Sequence, residues 1–233
     1  MKLTEKRKMM QMNHKYRYLL FDLDGTLTNP KTGITRSVQH ALRHFGIEEP
    51  DTEKLVPFIG PPLVDSFMRF YGFSREQALE GVQYYREYFA AKGILENEVI
   101  DGIPELLGDL QRAGRILAVA SSKPEPYVIQ ILEAFDLLKY FSVITGTTMD
   151  ETRTDKREVI EETCRRLRLA NTADVLMVGD REHDIIGARQ FGIDSMGVYI
   201  GFAAPGELER AGATMIAHSV EEMRAQLLRE KNT

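Results

Sequence analysis

The 233-residue sequence predicts an α/β protein: an open, mostly parallel sheet with a helical domain inserted into it. Three observations carry that expectation. Short apolar runs rich in β-branched residues recur along the chain, as buried parallel strands require. Amphipathic segments of helical length lie between them. One interval breaks the rhythm, because roughly ninety residues separate the first run from the second where a crossover usually takes about thirty.

The leader "MKLTEKRKMMQMNHKYR" is basic and has no apolar stretch, so it reads as a frayed, polar segment rather than a signal peptide. The first strand is "YLLF" at 18–21, which runs directly into Asp22, Asp24, Gly25 and Thr26. Residues 30–98 follow with helical patterns ("TRSVQHALRHFG", "PLVDSFMRFYG", "SREQALEGVQYYREYFAAKG") and no convincing strand. They are assigned to an inserted helical domain, hinged near "TNPKTG" and "ENEVIDG", while 1–29 and 99–233 form the catalytic core. Within that core the helix "IPELLGDLQRAG" precedes the strand "ILAVA" (116–120). Next come the helix "EPYVIQILEAFDLL", the strand "FSVIT" (141–145) and the helix "KREVIEETCRRLRL". The strand "VLMVG" (175–179) then leads into the helix "EHDIIGARQFG", and the runs "MGVYI" (196–200) and "TMIA" (214–217) complete the sheet. The first and last of these core helices, ending in "RAG" and "QFG", close on glycine, as helix ends prefer.

Composition narrows the function classes. A hydrophobic content of 43% with 28% charged residues suits a globular core, and a net charge of -5 with a pI near 5.6 offers no footprint for nucleic acid or an anionic membrane. No stretch approaches the eighteen or so apolar residues of a membrane span. The single cysteine, Cys164, cannot form a disulfide within the chain and is read as a small core residue in a reducing, cytoplasmic compartment.

In open α/β sheets, ligands bind beyond the carboxyl ends of the strands, so the residues after each apolar run bear first on function. Those ends carry Asp22 and Asp24, then Ser121, Ser122 and Lys123, then Gly179, Asp180 and Asp184, while Lys156 opens the helix after the third run. Each is ordinary alone. Asp-x-Asp-Gly is commonly a turn, and acids favour helix starts. Their convergence on one sheet edge is what matters. Two carboxylates about 5 Å apart repel by roughly 3 kcal/mol at an effective dielectric near 20. A cation among them is therefore expected. Oxygen-only donors with no histidine or cysteine nearby favour Mg²⁺, held by Asp22 and Asp180 with the backbone carbonyl of Asp24. Asp184 is expected to orient these ligands.

Such a centre, facing Ser121, Lys156 and the amides near Gly25 and Thr26, would trap a phosphoryl group. Asp22 then serves as nucleophile and Asp24 as proton shuttle. The catalytic set is Asp22, Asp24, Ser121 and Lys156, and the phosphate-binding set is Gly25, Thr26, Ser121, Ser122 and Lys156. The expected partner is a small phosphorylated metabolite, with the chain a monomer or homodimer.

The residues "DLDGT", "ASSK", Lys156 and "GDREHD" resemble, in order and spacing, the four motifs of the haloacid dehalogenase-like hydrolases, and the similarity spans nearly all of 18–228. It implies a Rossmann-like core, a squiggle and flap after Asp24, Mg²⁺ dependence and Asp22 as nucleophile. The inserted helices look like a C1-type cap, and the whole is similar to phosphoglycolate phosphatase-like enzymes. Related sugar phosphomutases carry a histidine and an arginine where this chain has Ile34 and Leu63, and dehalogenase relatives lack the second aspartate. Phosphate-monoester hydrolysis is the reading that results. The alternatives are a 5'-nucleotidase, pyrophosphatase or phosphomutase of the same superfamily, or a non-catalytic receiver-like module that holds a signalling phosphate. Within the cap, "PFIGPPL" (57–63) resembles the substrate specificity loop, while Tyr84 with Tyr88 and Tyr85 with Phe89, spaced i, i+4, read as packing between helices. His183 reads as an exposed polar residue.

Overall fold

The computed structural model describes residues 15–149, 153 and 155–229. Most of the leader lies outside the described residues. The chain divides into two compact units, residues 28–99 and the remainder.

The larger unit contains a six-stranded sheet. Its strands are β1 (Tyr18–Phe21), β4 (Ile116–Pro124), β5 (Val143–Thr147), β6 (Val175–Gly179), β7 (Asp194–Val198) and β8 (Met215–Ala217). They lie in the order β5-β4-β1-β6-β7-β8, and every neighbouring pair is parallel. The chain builds outward on one side of β1 and then returns to its other side, so the strand order reverses beside β1, where such folds open their ligand crevice. Register does the rest. Phe21 pairs with both Val119 and Val178, so Asp22, Ala120 of β4 and Gly179 at the end of β6 arrive at the same level.

The central strands are held by burial. Leu19, Leu20 and Phe21 are fully buried, as are Leu176, Met177 and Val178. Each contributes roughly 1.5–3 kcal/mol on leaving water, which offsets the repulsion among the carboxylates directly behind them. One side of the sheet packs Leu20, Ala118, Ala120 and Met177 against Val159, Ile160 and Cys164 of the helix Lys156–Arg166. Cys164 is thus the core residue its sequence context predicts, and burial pushes its thiol up to about 11. It is expected to resist a disulfide-exchange reagent at pH 8 in the native protein and to react at once in denaturant. Rapid native reaction would contradict this packing.

Four differences from the sequence reading are physical. The second run does not stop at Ala120: β4 continues through Ser121, Ser122 and Lys123 to Pro124, with its pairing to β5 shifted between Ala120 and Pro124. The run "FSVIT" starts pairing two residues later, and "MGVYI" two residues earlier, than their apolar character suggests. The hinge "TNPKTG" is also partly helical, because α1 (Lys31–His44) begins directly after Pro30. Its Gly33 donates to the Glu96 carbonyl at 2.9 Å, and a Cβ there would lie 2.0 Å from the Gly93 carbonyl oxygen. Finally, a two-residue antiparallel ladder, β2 (Thr28–Asn29) with β3 (Glu98–Val99), occupies the ends of the smaller unit, too short to leave any periodicity in the sequence.

The rest of that unit is helical, with α2 (Leu63–Tyr71) and α3 (Arg75–Tyr88). A capping box between Ser74 and Gln77 starts α3. Its core is aromatic, with Phe58 edge-on to Phe67 at 5.1 Å and Phe67 stacked on Phe73 at 5.6 Å. Residues 57–63 join a 3-10 turn, Thr52–Phe58, to α2. Tyr85 and Phe89 are buried and stacked, as helix packing predicts, but Tyr84 and Tyr88 stay half-buried against histidines of α1.

The remaining helices of the larger unit flank its sheet: α4 (Ile103–Arg112), α5 (Glu125–Ala134), α6 (Lys156–Arg166), α7 (Glu182–Phe191), α8 (Glu207–Ala211) and α9 (Val220–Leu227). Among the described residues, no helix is long and apolar enough to cross a membrane.

Candidate active site

The strand ends bring four carboxylates and two ammonium groups into one buried cluster. Asp22 leaves β1 with its backbone N–H donating to the Val178 carbonyl at 2.9 Å, which pins it between β1 and β6. Its Oδ1 accepts from Lys156 Nζ at 2.7 Å. The same ammonium reaches Asp184 Oδ1 at 2.7 Å and the Ala120 carbonyl at 2.8 Å. All three donor positions of Lys156 are therefore committed. Burial works to lower its pKa, but Asp184 and Asp22 outweigh that and hold it above the ordinary lysine value.

Asp180 sits at the end of β6 with no exposure. Its Oδ1 accepts from the Thr26 hydroxyl at 3.3 Å and its Oδ2 from the Phe202 backbone N–H at 2.8 Å. No ammonium group pairs with it among the described residues. Burial, with Asp184 and Asp22 beside it, raises its pKa well above the ordinary carboxylate value. Asp184 enters from the first turn of α7, where its Oδ2 accepts from the Arg181 N–H at 3.1 Å. Burial pushes it up to about 6 although it touches Lys156, and repulsion from Asp22 adds to the rise.

Asp24 pairs with a second cation of the cluster. Lys123 Nζ lies 2.6 Å from its Oδ2, and both side chains are almost buried. The other oxygen, Oδ1, is buried with no hydrogen-bond partner among the described residues. Burial raises the Asp24 carboxyl despite the pull of Lys123. Sequence reasoning missed Lys123 as a partner of Asp24. The available signal was its place two residues beyond Ser121, which strand alternation returns to the same face.

The other expected residues are placed less uniformly. Ser121 is buried at the carboxyl end of β4, and its Oγ accepts from the Lys123 N–H at 3.3 Å, a contact that leaves its hydroxyl hydrogen uncommitted. Ser122 is half-buried, and its carbonyl accepts from the Thr147 hydroxyl at 3.2 Å. None of the hydrogen bonds found among the described residues joins its hydroxyl to the carboxylates. The Thr26 N–H turns back to the Leu23 carbonyl at 3.3 Å, while its side chain serves Asp180. Gly25 has a φ of +82°, and a Cβ there would fall 2.2 Å from Asp180 Oδ2. Glycine is required twice over, for the left-handed turn and for the approach of Asp180. Gly201 makes equal room on the far side, where a Cβ would lie 2.3 Å from the same oxygen. Nothing in the sequence marks that loop, because its contribution is backbone. His183 is half-buried rather than exposed, and burial lowers its pKa.

The electrostatics of the cluster can be stated as a deficit. Asp22, Asp24, Asp180 and Asp184 bring four acidic groups, and Lys123 and Lys156 bring two positive charges. Arg181, whose charge also acts on Asp180, is engaged by Glu207 at 2.8 Å. With all four acids ionised, two negative charges remain uncompensated among the described residues of the cluster. One oxygen from each of Asp22, Asp180 and Asp184 lies within 4.8 Å of the others. An all-oxygen, doubly negative pocket fits a hard divalent cation in donor type and in charge.

A parallel sheet that gathers acids, a hydroxyl and a lysine at its carboxyl edge defines a class of phosphoryl-handling α/β hydrolase. The chain belongs to the haloacid dehalogenase-like hydrolases, whose family profile matches residues 19–198. It is a phosphatase of that family. Over 83% of this chain and 87% of the relative, it is 48% identical to a 5'-nucleotidase of Pseudomonas aeruginosa. It is 37% identical to the tyrosine-protein kinase PtkA of Mycobacterium tuberculosis, over 90% of this chain and 72% of that one. Among solved structures, a predicted phosphatase from Clostridium acetobutylicum superposes with a TM-score of 0.88 at 46% identity, covering 91% of this chain and 98% of that chain.

Proposed function

We propose that the protein is a Mg²⁺-dependent phosphatase of small phosphate monoesters that works through an aspartyl-phosphate on Asp22, with nucleoside 5'-monophosphates as its substrate class. The observation that carries the reading is the charge deficit of two among Asp22, Asp24, Asp180 and Asp184. The side chains of Asp22 and Asp180, with the Asp24 backbone carbonyl, would hold Mg²⁺, and Asp184 would keep them oriented. When bound, the ion supplies positive charge against the phosphoryl oxygens.

The chain's own groups account for the remaining chemistry. Lys156 fixes Asp22 through one oxygen, which leaves the second to attack phosphorus in line with the leaving oxygen. Asp24 presents a buried, unpartnered oxygen and a raised pKa, both suited to delivering a proton to that leaving oxygen. In the second half, water attacks the phosphorus of the aspartyl-phosphate, Asp24 takes its proton, and the Asp22 carboxylate is regenerated as phosphate departs. Ser121 donates its hydroxyl to a phosphoryl oxygen. The core recognises only the phosphoryl group, so choice among esters falls to the inserted helical unit, residues 30–98 by the sequence boundaries.

The nucleotide assignment rests on the Pseudomonas relative, and phosphoglycolate is its natural competitor in the assay. Phosphate release is expected from a nucleoside 5'-monophosphate in the presence of Mg²⁺ and is expected to vanish on adding a chelator. Chelator-insensitive release would remove the metal, and release from phosphoglycolate alone would remove the nucleotide. Transfer to protein tyrosine, the activity named for the mycobacterial relative, would show as labelled protein with little free phosphate. A long-lived phosphorylated protein without turnover would favour the receiver-like alternative.

A further inference from the structure

The helical unit contains a second cluster of ligating side chains, built from residues other than the carboxylates above. His40 and His44 stand one turn apart on α1, and Glu87 faces them from α3. One ligand atom from each lies within 4.8 Å of the others. We propose that His40, His44 and Glu87 form a binding site for a divalent transition ion of the zinc type, one that ties α1 to α3.

Spacing is the first support. Histidines at i and i+4 project from one face of a helix, so a single ion can reach both rings. The His40 Nε2 to Glu87 Oε2 distance is 3.8 Å. Two ligands around zinc, with bonds near 2.0–2.1 Å, are separated by about 3.4 Å, so a small torsion of the exposed Glu87 closes the gap. Two imidazoles and one carboxylate, with a fourth position left for water, form a donor set that zinc accepts. Imidazole also selects against Mg²⁺, so this cluster and the all-oxygen pocket would take different ions from a mixture.

The second support is that the rings are held. His44 lies flat on Tyr84, with centroids 3.6 Å apart and planes 6° from parallel. His40 tilts against Tyr88 at 5.6 Å. Beneath them, Val38, Ala41 and Leu42 of α1 and Gly81, Val82 and Tyr85 of α3 are buried, which fixes the two helices. Among the surrounding charges, Lys92 lies over the Tyr88 ring, 5.9 Å from its centroid. Glu80 accepts from the Tyr84 hydroxyl at 3.3 Å, Arg36 is engaged by Glu96 at 2.6 Å, and Arg43 faces Glu48 at 3.7 Å.

The test is a calorimetric titration of the full chain with ZnCl₂, in excess Mg²⁺ so that the carboxylate pocket is filled. One zinc per chain is expected, with a dissociation constant on the order of micromolar. His40→Ala and His44→Ala should each weaken binding by at least about tenfold, and Glu87→Gln by less, with circular dichroism confirming that each variant is folded. The Asp22→Asn, Asp180→Asn double variant should bind zinc as the parent does. Zinc binding that survives both histidine substitutions, or that disappears in the aspartate variant, would place the ion elsewhere. No binding to the parent would reduce the cluster to an ion pair and two ring contacts between helices.

Discussion

Asp22→Asn is expected to abolish phosphate release, with kcat falling on the order of 10⁴-fold or more while the protein remains folded. The substitution keeps the shape of the side chain and an oxygen for Lys156, so the geometry at the strand end should persist. What disappears is the anionic oxygen that would attack phosphorus. Stability should move little or rise, because the variant removes one negative charge from a cluster that carries more acids than cations. The two readouts therefore part company: a catalytic collapse without a structural one. Steady-state phosphate release, thermal unfolding followed by circular dichroism, and acid quenching of a radiolabelled monoester would check it together. The parent should trap label on protein and the variant should not. Activity within tenfold of the parent, or label retained by the variant, would take the nucleophile's role away from Asp22.

The legible parts of this molecule were those where one physical force acts along a continuous stretch. "YLLF" and "VLMVG" coincide with β1 and β6 to the residue, because full burial on both faces leaves an unbroken apolar run that ends where the charge begins. The long interval before β4 signalled an inserted unit, and the structure separates residues 28–99 as one. Asp22, Asp180, Asp184 and Lys156 could be grouped from sequence because parallel register aligns strand ends that are remote in the chain. Features made by pairing rather than by composition were not legible. Lys123 joins Asp24 only because β4 carries on through two serines, a polar stretch that reads as a loop. The β2–β3 ladder is two residues long, and the Phe202 amide that holds Asp180 is a backbone donor available from any residue type except proline. The start of α1 was missed because Pro30 and Gly33 look like a hinge, whereas proline suits a helix start and this glycine admits the Gly93 carbonyl.

The second large effect is expected from Lys156→Met, which should damage stability and activity together. Lys156 is the shared partner of Asp22 and Asp184, and all three side chains are buried. Methionine fills similar volume but leaves two carboxylates without their cation, a loss of about 3–5 kcal/mol for a broken buried pair. The pH dependence separates this cause from packing. An acid whose folded pKa is raised contributes stability that is present below its unfolded pKa, near 3.8, and lost as pH rises through the folded value. Asp184 stands at about 6 with Lys156 in place, and removal of that lysine drives it higher. In chelator, the variant should therefore lie close to the parent at pH 5 and fall well below it at pH 7.5. Added Mg²⁺ should recover part of the difference, since it restores positive charge to the same oxygens. Urea unfolding at the two pH values, with chelator and with Mg²⁺, measures all of this. An equal deficit at pH 5 and pH 7.5 would mean that Lys156 acts through its alkyl chain rather than its charge.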